Sequence, residues 1–366
     1  MAPRRLRFLA FGLLCCFCMA FGPPVLTNSD MPRYPLTAHQ VRMMRRYPLP
    51  ALSAQAIMLV NLNTGEIIYA RNEHERRAPG SLIKMITAMV ALERGKLDQE
   101  IIITQQDVRV YSAVGVSNGE KLTLRDLLFT MLIPSDNVAA RAIARELGDG
   151  NMRTFVGYMN DMVARLGLQN THCANPSGLD HKDGYSSAYD IAILARQAMM
   201  YPVFADIVRR YEAYAGGRWL ESTNKLLNTY PGMVGVKTGT TDLAGECLVT
   251  VVRRPQGTVL SVVMGSEDRF RDTRLLLDYY YATYAELRVD LPDTEQNRYR
   301  DEANSWHSFG IKEPKIFLVN PWQVSTLALY RRIEDLSVDP EADARIGTLL
   351  ITLAGAPFAE ESLHVR

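Results

Sequence analysis

The sequence predicts an α/β chain of the α+β kind, with one antiparallel sheet built from chain-distant segments, a helical insert, and a small C-terminal β domain. Three observations lead there. β-rich runs near residues 54–70 return at 232–265, apolar residues recur at helical spacing between about 96 and 215, and beyond residue 289 the composition turns polar with short β runs. Strands at both ends of a helical middle must meet across the chain to bury their faces. The 366 residues supply material for one large domain and a smaller one.

The opening stretch, MAPRRLRFLAFGLLCCFCMAFGPP, has the layout of an export signal. Arg4, Arg5 and Arg7 precede an apolar run at 8–21 that is short for a bilayer span, and Cys18-Met19-Ala20 offers a cleavage point. Residues 1–22 are therefore read as a signal peptide, or alternatively an N-terminal anchor. Either way the body of the chain is exported, to the periplasm or the outer face of the cytoplasmic membrane. Cys15, Cys16 and Cys18 follow Leu, Cys and Phe, which argues against a lipoprotein. Residues 23–53, with scattered Pro and Arg, read as a linker.

The run AIMLVNLNTGEIIYA then gives two strands joined at Asn63, Thr64 and Gly65, a hairpin signal. Residues 79–95 read as one helix stopped by Gly95. In the helical insert, Thr123 caps TLRDLLFTMLI, and VAARAIAREL ends before Gly148. RTFVGYMNDMVARLG and SAYDIAILARQAMM follow with helical spacing. GMVGVKTG, CLVTVVRR and TVLSVVMG read as strands, and RDTRLLLDYYYATYAELR as a long closing helix. KIFLV, STLALYRR and TLLITLAG form the β runs of the last segment. Cys173 and Cys247 can pair or stay free; the sequence leaves both open.

Lys and Arg total 41 against 40 Asp and Glu, a net charge of +1, which gives no electrostatic case for nucleic acid as a partner. His39, His74, His172, His181, His307 and His364 are scattered without ligand spacing, so neither a metal nor an organic cofactor is expected.

The chemistry centres on PGSLIKMITAMVALERG, residues 79–95. A helix apolar on nearly every side is buried, yet this one carries Lys84 among Ile83, Met85 and Ile86. A buried ammonium is expensive unless it is paired or deprotonated. Ser81 and Lys84 are three residues apart and share a helix face. Ser81 also sits at the N-terminal end, where free N–H groups favour negative charge. A desolvated lysine is a base able to activate a serine. Taken alone the pattern is weak: Ser222-Thr223-Asn224-Lys225 repeats it, and the bland reading is a capping serine with a snorkelling lysine. Two further stretches change the balance. IPSDNVAA puts Ser135, Asp136 and Asn137 at a helix start, and VGVKTGTT puts Lys237, Thr238, Gly239 and Thr240 on a strand.

S-x-x-K, S-D-N and K-T-G in this order form the set shared by serine β-lactamases and penicillin-binding proteins. The chain resembles the low-molecular-mass penicillin-binding proteins, the serine-type D-alanyl-D-alanine carboxypeptidases. ANPSGLD, GYSSAYD and STNKLLNTYPGMVGVKTGTTDLAGECLV resemble further phrases of that family. The likeness covers residues 54–288, which would form the peptidase domain with the transpeptidase fold, and 289–366 resemble the family's small β domain less specifically.

The resemblance implies that Ser81 attacks the penultimate D-alanine carbonyl of peptidoglycan stem pentapeptides, with Lys84 taking its proton. It implies that Ser135 relays a proton to the departing D-alanine and that Asn137 binds the substrate amide. Lys237 would support the proton network and the substrate's negative charge, with Thr238 and Gly239 on the carboxylate-binding strand. The backbone N–H groups of Ser81 and Thr240 would form the oxyanion hole. Arg269 matches a family arginine near the carboxylate; its alternative is a helix-start ion pair with Asp272. β-Lactams would acylate the same serine.

DD-endopeptidase or weak β-lactamase action with the same machinery remains an alternative. No E-x-x-L-N lies between the second and third motifs to drive fast penicillin hydrolysis. GVSNG, residues 115–119, fits G-x-S-x-G with His172 and His181 as partners, but the strand–turn–helix context of a nucleophile elbow is missing and a loop is expected. A binding protein without turnover would have lost a catalytic residue, and none is lost. The last residues, GAPFAEESLHVR, carry no basic amphipathic stretch. Membrane contact is thus expected from a retained leader, or peripherally from Arg42, Arg45 and Arg46.

Overall fold

In the computed structural model, which describes residues 51–366, β1 (Ala56–Asn61) and β2 (Ile67–Arg71) form the hairpin read from the sequence. Its turn is held by Asn61, whose Oδ1 accepts from the N–H groups of Asn63 and Thr64 at 2.8 Å each, while Gly65 takes φ +78°. The leader and nearly all of the linker, with Arg42, Arg45 and Arg46, lie outside the described residues. Two compact units part between Glu286 and Leu287.

In the larger unit, α1 (Lys84–Arg94) is followed by the short pair β3 (Glu100–Ile102) and β4 (Lys121–Thr123). The helices α2 (Leu124–Leu132), α3 (Asn137–Glu146), α4 (Met152–Arg165), α5 (Ala188–Ala198) and α6 (Pro202–Val208) come next. A hairpin, β5 (Glu212–Ala215) and β6 (Arg218–Glu221), precedes β7 (Met233–Thr241), β8 (Gly245–Arg254), β9 (Gly257–Ser266) and α7 (Arg269–Thr283). The main sheet runs β2-β1-β9-β8-β7, antiparallel throughout, so the first hairpin joins strands about 200 residues later. Ala56 faces Met264 and Asn61 faces Val259 in that join.

Side-chain caps start the helices where the sequence offers them. Thr123 and Asp126 form a reciprocal capping box for α2, and Asp136, Ser187 and Asp268 cap α3, α5 and α7. Helix α1 is buried from Lys84 to Ala91 and packs against α2, α3, α4 and α5, which places its single lysine inside the core.

Three expectations are corrected. The helix read over 79–95 begins as a 3₁₀ turn, Gly80–Ile83, because Gly80 at φ +54° cannot lie in an α-helix. The mainly helical stretch contains the β3–β4 and β5–β6 pairs, the latter closed by Gly216-Gly217, a two-residue turn that suits a hairpin. The closing helix stops at Thr283, and Ala285, Leu287 and Val289 then alternate inward along β10 (Ala285–Val289).

The second unit pairs β10 with β13 (Lys315–Val319). Its larger sheet runs β11 (Arg298–Arg300), β12 (Trp306–Gly310), β16 (Ala356–Val365), β15 (Arg345–Leu353), β14 (Ala328–Ile333), with α8 (Pro321–Val324) ahead of β14. Val289, Phe309, Leu349, Ile351 and Leu363 centre its core. Among the described residues no single helix is long and apolar enough to cross a membrane.

The chain entry to β1 is locked onto α7 by Asp272, which is fully buried and accepts from Ser53 Oγ at 2.7 Å, Ala54 N at 2.8 Å and Ser266 Oγ at 2.7 Å. Asp272→Ala leaves these donors without their acceptor and is expected to cost about 3 kcal/mol. Thermal melting should show a fall of about 6–12 °C.

Candidate active site

Because Ser81 lies in the 3₁₀ turn and Lys84 opens α1, the two side chains meet at the buried end of the helix. Lys84 Nζ is 2.7 Å from Ser81 Oγ, 2.8 Å from Asn137 Oδ1 and 3.4 Å from Ser135 Oγ. The residue has no exposed surface. Burial lowers its pKa to about 7, against the pull of the nearby Asp136 carboxylate, which favours the charged form. A lysine near neutrality at physiological pH is a base with a large unprotonated fraction.

The S-D-N stretch divides its labour. Asp136 is buried and serves structure: it caps α3 through Ala139 N at 2.9 Å and binds Ser112 Oγ and Ala113 N at 2.6 Å each. Ser135 and Asn137 face the lysine. Ser135 takes φ +66°, a left-handed conformation that is strained for a residue with a Cβ. That turn, just before the helix begins, brings its hydroxyl onto Lys84.

On β7, Lys237 is buried and its Nζ donates to Thr238 O at 3.1 Å. Its pKa is held well below the usual lysine value by burial first, then by repulsion from Lys84 and Arg269. Thr238 Oγ1 is 2.5 Å from Thr223 Oγ1. Strand β7 and the 3₁₀ turn approach so closely that a Cβ built on Gly239 would lie 3.2 Å from Ser81 N and 3.0 Å from Pro79 O. One built on Gly80 would lie 3.3 Å from Thr240 N. The N–H groups of Ser81 and Thr240 thus flank one seam. Gly178, in the ANPSGLD loop, has φ +78° and lies against Gly80, where any Cβ would collide with Gly80 O.

Arg269 donates to Gly239 O at 2.7 Å, Thr240 Oγ1 at 2.6 Å and Cys247 O at 3.3 Å, and pairs with Glu246 at 3.6 Å. The alternative ion pair with Asp272 is therefore not formed, since that carboxylate is taken by Ser53, Ala54 and Ser266.

A profile of the D-alanyl-D-alanine carboxypeptidase family, peptidase S11, matches residues 43–268. The chain belongs to this family. D-alanyl-D-alanine carboxypeptidase DacF of Bacillus subtilis is 30% identical over 292 residues, covering 76% of this chain and 72% of that one. Penicillin-binding protein 5 of Haemophilus influenzae superposes with a TM-score of 0.67 at 26% identity, covering 86% of this chain and 97% of that chain. The Streptomyces K15 DD-transpeptidase gives 0.61 at 30% identity, over 64% of this chain and 99% of that one. The fold is accordingly that of the penicillin-binding DD-peptidases, with a small C-terminal β domain.

Within this S11 site the second S-x-x-K supplies no nucleophile and base: residues 222–225 form neither helix nor strand and Lys225 is exposed. Ser117 sits on an exposed loop with its hydroxyl on Gly115 O at 3.1 Å, and His172 Nδ1 contacts Asp183 O at 2.6 Å, so no triad forms. Cys173 and Cys247 are both free and buried. Three supporting residues were not read from the sequence. Thr223 touches Thr238, Glu246 pairs with Arg269, and Asp180 holds the turn after β7 through Thr241 Oγ1 at 2.5 Å and Leu243 N at 3.1 Å. Asp180 belongs to the ANPSGLD phrase, the one local signal that marked it.

The Asp136 charge raises the Lys84 pKa, so Asp136→Asn should lower the lysine's titration midpoint below about 7. NMR of ¹³Cε-labelled lysine across pH 5–9 would read this, and an unmoved or raised midpoint would contradict the assignment.

Proposed function

We propose that the protein is a serine-type D-alanyl-D-alanine carboxypeptidase that removes the terminal D-alanine from peptidoglycan stem pentapeptides through an acyl-enzyme on Ser81. The observation that carries the reading is the 2.7 Å contact between Ser81 Oγ and a fully buried Lys84 Nζ whose pKa is lowered to about 7.

Neutral Lys84 takes the Ser81 proton as Oγ attacks the carbonyl carbon of the penultimate D-alanine. The oxyanion settles between the N–H groups of Ser81 and Thr240. Collapse breaks the C–N bond, and the proton on Lys84 passes through Ser135 Oγ to the departing amine, so D-alanine leaves neutral at nitrogen. Water then attacks the ester, gives its proton to Lys84, and the proton returns to Ser81 Oγ as the shortened peptide is freed. Asn137 positions the substrate amide. Thr238, Thr240 and Arg269 receive the terminal carboxylate, with Gly239 keeping the strand close to Ser81 and Lys237 supplying positive potential when protonated. No step calls for a metal or organic cofactor.

Enzymes of this family bind peptidoglycan peptides and β-lactams, and the same attack on a β-lactam carbonyl would leave Ser81 acylated. Export follows from the leader, with the periplasm or the outer face of the cytoplasmic membrane as the place of action.

After treatment with penicillin, mass spectrometry should find the adduct on the peptide containing Ser81 and none in Ser81→Ala. Lys84→Met should slow both acylation and D-alanine release by about a thousandfold. Adduct formation at an unchanged rate in Lys84→Met would remove the base from the scheme. Because Lys84 must be unprotonated to act, acylation should rise with pH through about 7 and fall away below it. A stopped-flow pH profile without that acid limb would contradict the role.

A further inference from the structure

Three large apolar side chains stand exposed on the loops that frame the candidate site: Tyr111 at 79%, Leu243 at 67% and Leu179 at 39%. Single apolar side chains scattered over a surface need no explanation. These three come from separate stretches, and each stretch is tied to a group of the site. The carbonyl of Tyr111 accepts from Asn137 Nδ2 at 3.5 Å, and the next two residues hold the Asp136 carboxylate through Ser112 Oγ and Ala113 N at 2.6 Å each. Leu179 follows Gly178, where a built Cβ would lie 3.2 Å from Ser81 N. Leu243 N donates to Asp180 Oδ2 at 3.1 Å, and the same carboxylate accepts from Thr241 Oγ1. The turn bearing Leu243 also packs on the 3₁₀ turn, since a Cβ built on Gly80 would lie 3.4 Å from Ala244 Cβ.

Strand β7 gives the cleft a direction. Thr238, on the carboxylate side, comes before the Thr240 N–H, while Thr241 and Leu243 come after it. A substrate with its carboxylate towards Thr238 and its attacked carbonyl at the N–H groups of Ser81 and Thr240 therefore runs on past Thr241. Its preceding residue enters the space that the three side chains flank, with Leu179 and Leu243 beside the seam and Tyr111 beside Asn137. None of the three is what holds its own loop. Ser112 and Ala113 are fixed by Asp136, Leu179 by Asn175 through its carbonyl at 2.8 Å, and Leu243 by Asp180.

We propose that Tyr111, Leu179 and Leu243 form an apolar specificity subsite for the side chain of the residue preceding the attacked D-alanine, and that it takes a long unbranched aliphatic chain. The proposal rests on the carboxypeptidase reading and deepens it, since that reading names the D-alanine end and leaves the preceding side chain open. An alkyl chain laid against these groups removes apolar surface on both partners from water. The Tyr111 ring adds a flat apolar face with a hydroxyl that can stay in water. Asn137 and the N–H groups supply the few polar contacts that fix orientation, and the apolar walls supply the preference.

The test measures D-alanine release from N-acetyl-X-D-alanyl-D-alanine, with X either L-alanine or L-norleucine, which adds three methylenes to that side chain. The full chain should turn over the norleucine peptide with kcat/KM about tenfold higher. The gain should lie in KM, because the contact is the same in the ground and transition states. Tyr111→Ala and Leu243→Ser should each remove most of that preference, and Tyr111→Phe should keep it. Both losses should leave the alanine peptide unchanged, together with Ser81 acylation by 6-aminopenicillanic acid, which bears no acyl side chain. No preference in the parent, a preference that survives in Tyr111→Ala or Leu243→Ser, or an equal fall on both peptides overturns the proposal while the carboxypeptidase reading stands. Release from neither peptide overturns it as well, and if 6-aminopenicillanic acid also fails to acylate the parent, the carboxypeptidase reading falls with it.

Discussion

Everything in the site depends on taking one amine out of water beside one hydroxyl. In water Lys84 would hold its proton up to about pH 10 and could not receive another. Inside α1 burial weakens that hold, but a wholly apolar pocket would be as unhelpful, since the cation formed on taking the Ser81 proton would have no support. The surroundings lie between these limits. Ser81, Ser135 and Asn137 give three oxygens within 3.4 Å, and Asp136 acts from behind as a partial counter-charge. Asp136 can do so because its carboxylate is spent on the backbone and on Ser112, so it stays out of the proton path.

Lys237 extends the same constraint. Two buried amines repel when both are charged, and the pKa of Lys237 is pushed down partly by Lys84. Protonation at one therefore discourages it at the other, which keeps the pair ready to accept a proton. Holding such groups together requires a rigid frame. The glycines at 80, 178 and 239 provide it by letting the 3₁₀ turn, the ANPSGLD loop and β7 approach where any side chain would intrude.

What the sequence made legible was local. Three residues of spacing put Ser81 and Lys84 together, a cap signature marked Thr123, and alternating or continuous apolar runs marked the strands of the main sheet. The meeting of S-x-x-K, S-D-N and K-T-G is not local, and only the resemblance to a family brought those stretches into one site. Thr223, Asp180 and Glu246 escaped for the same reason: their partners lie 15, 61 and 23 residues away, and Thr, Asp and Glu are ordinary loop and strand-end residues. The β5–β6 hairpin was missed differently. Its Gly216-Gly217 signal stood in the sequence, but the helical periodicity on its N-terminal side was read too far.

The distribution of charge around the cleft argues for cutting at a chain end. Arg269 stands at the K-T-G side, donating to Gly239 O and Thr240 Oγ1, and buried Lys237 lies on the same strand. Glu246 lies 3.6 Å from Arg269, whose guanidinium also donates to three neutral oxygens. A substrate ending in a carboxylate one residue past the attacked carbonyl would bring its charge to this pole. A cross-linked peptide would bring a neutral amide to the same place and forgo the charge–charge attraction to Arg269. Since a charge-assisted contact is stronger than a neutral one, the electrostatics favour carboxypeptidase over endopeptidase action while leaving the nucleophile, base and oxyanion site common to both.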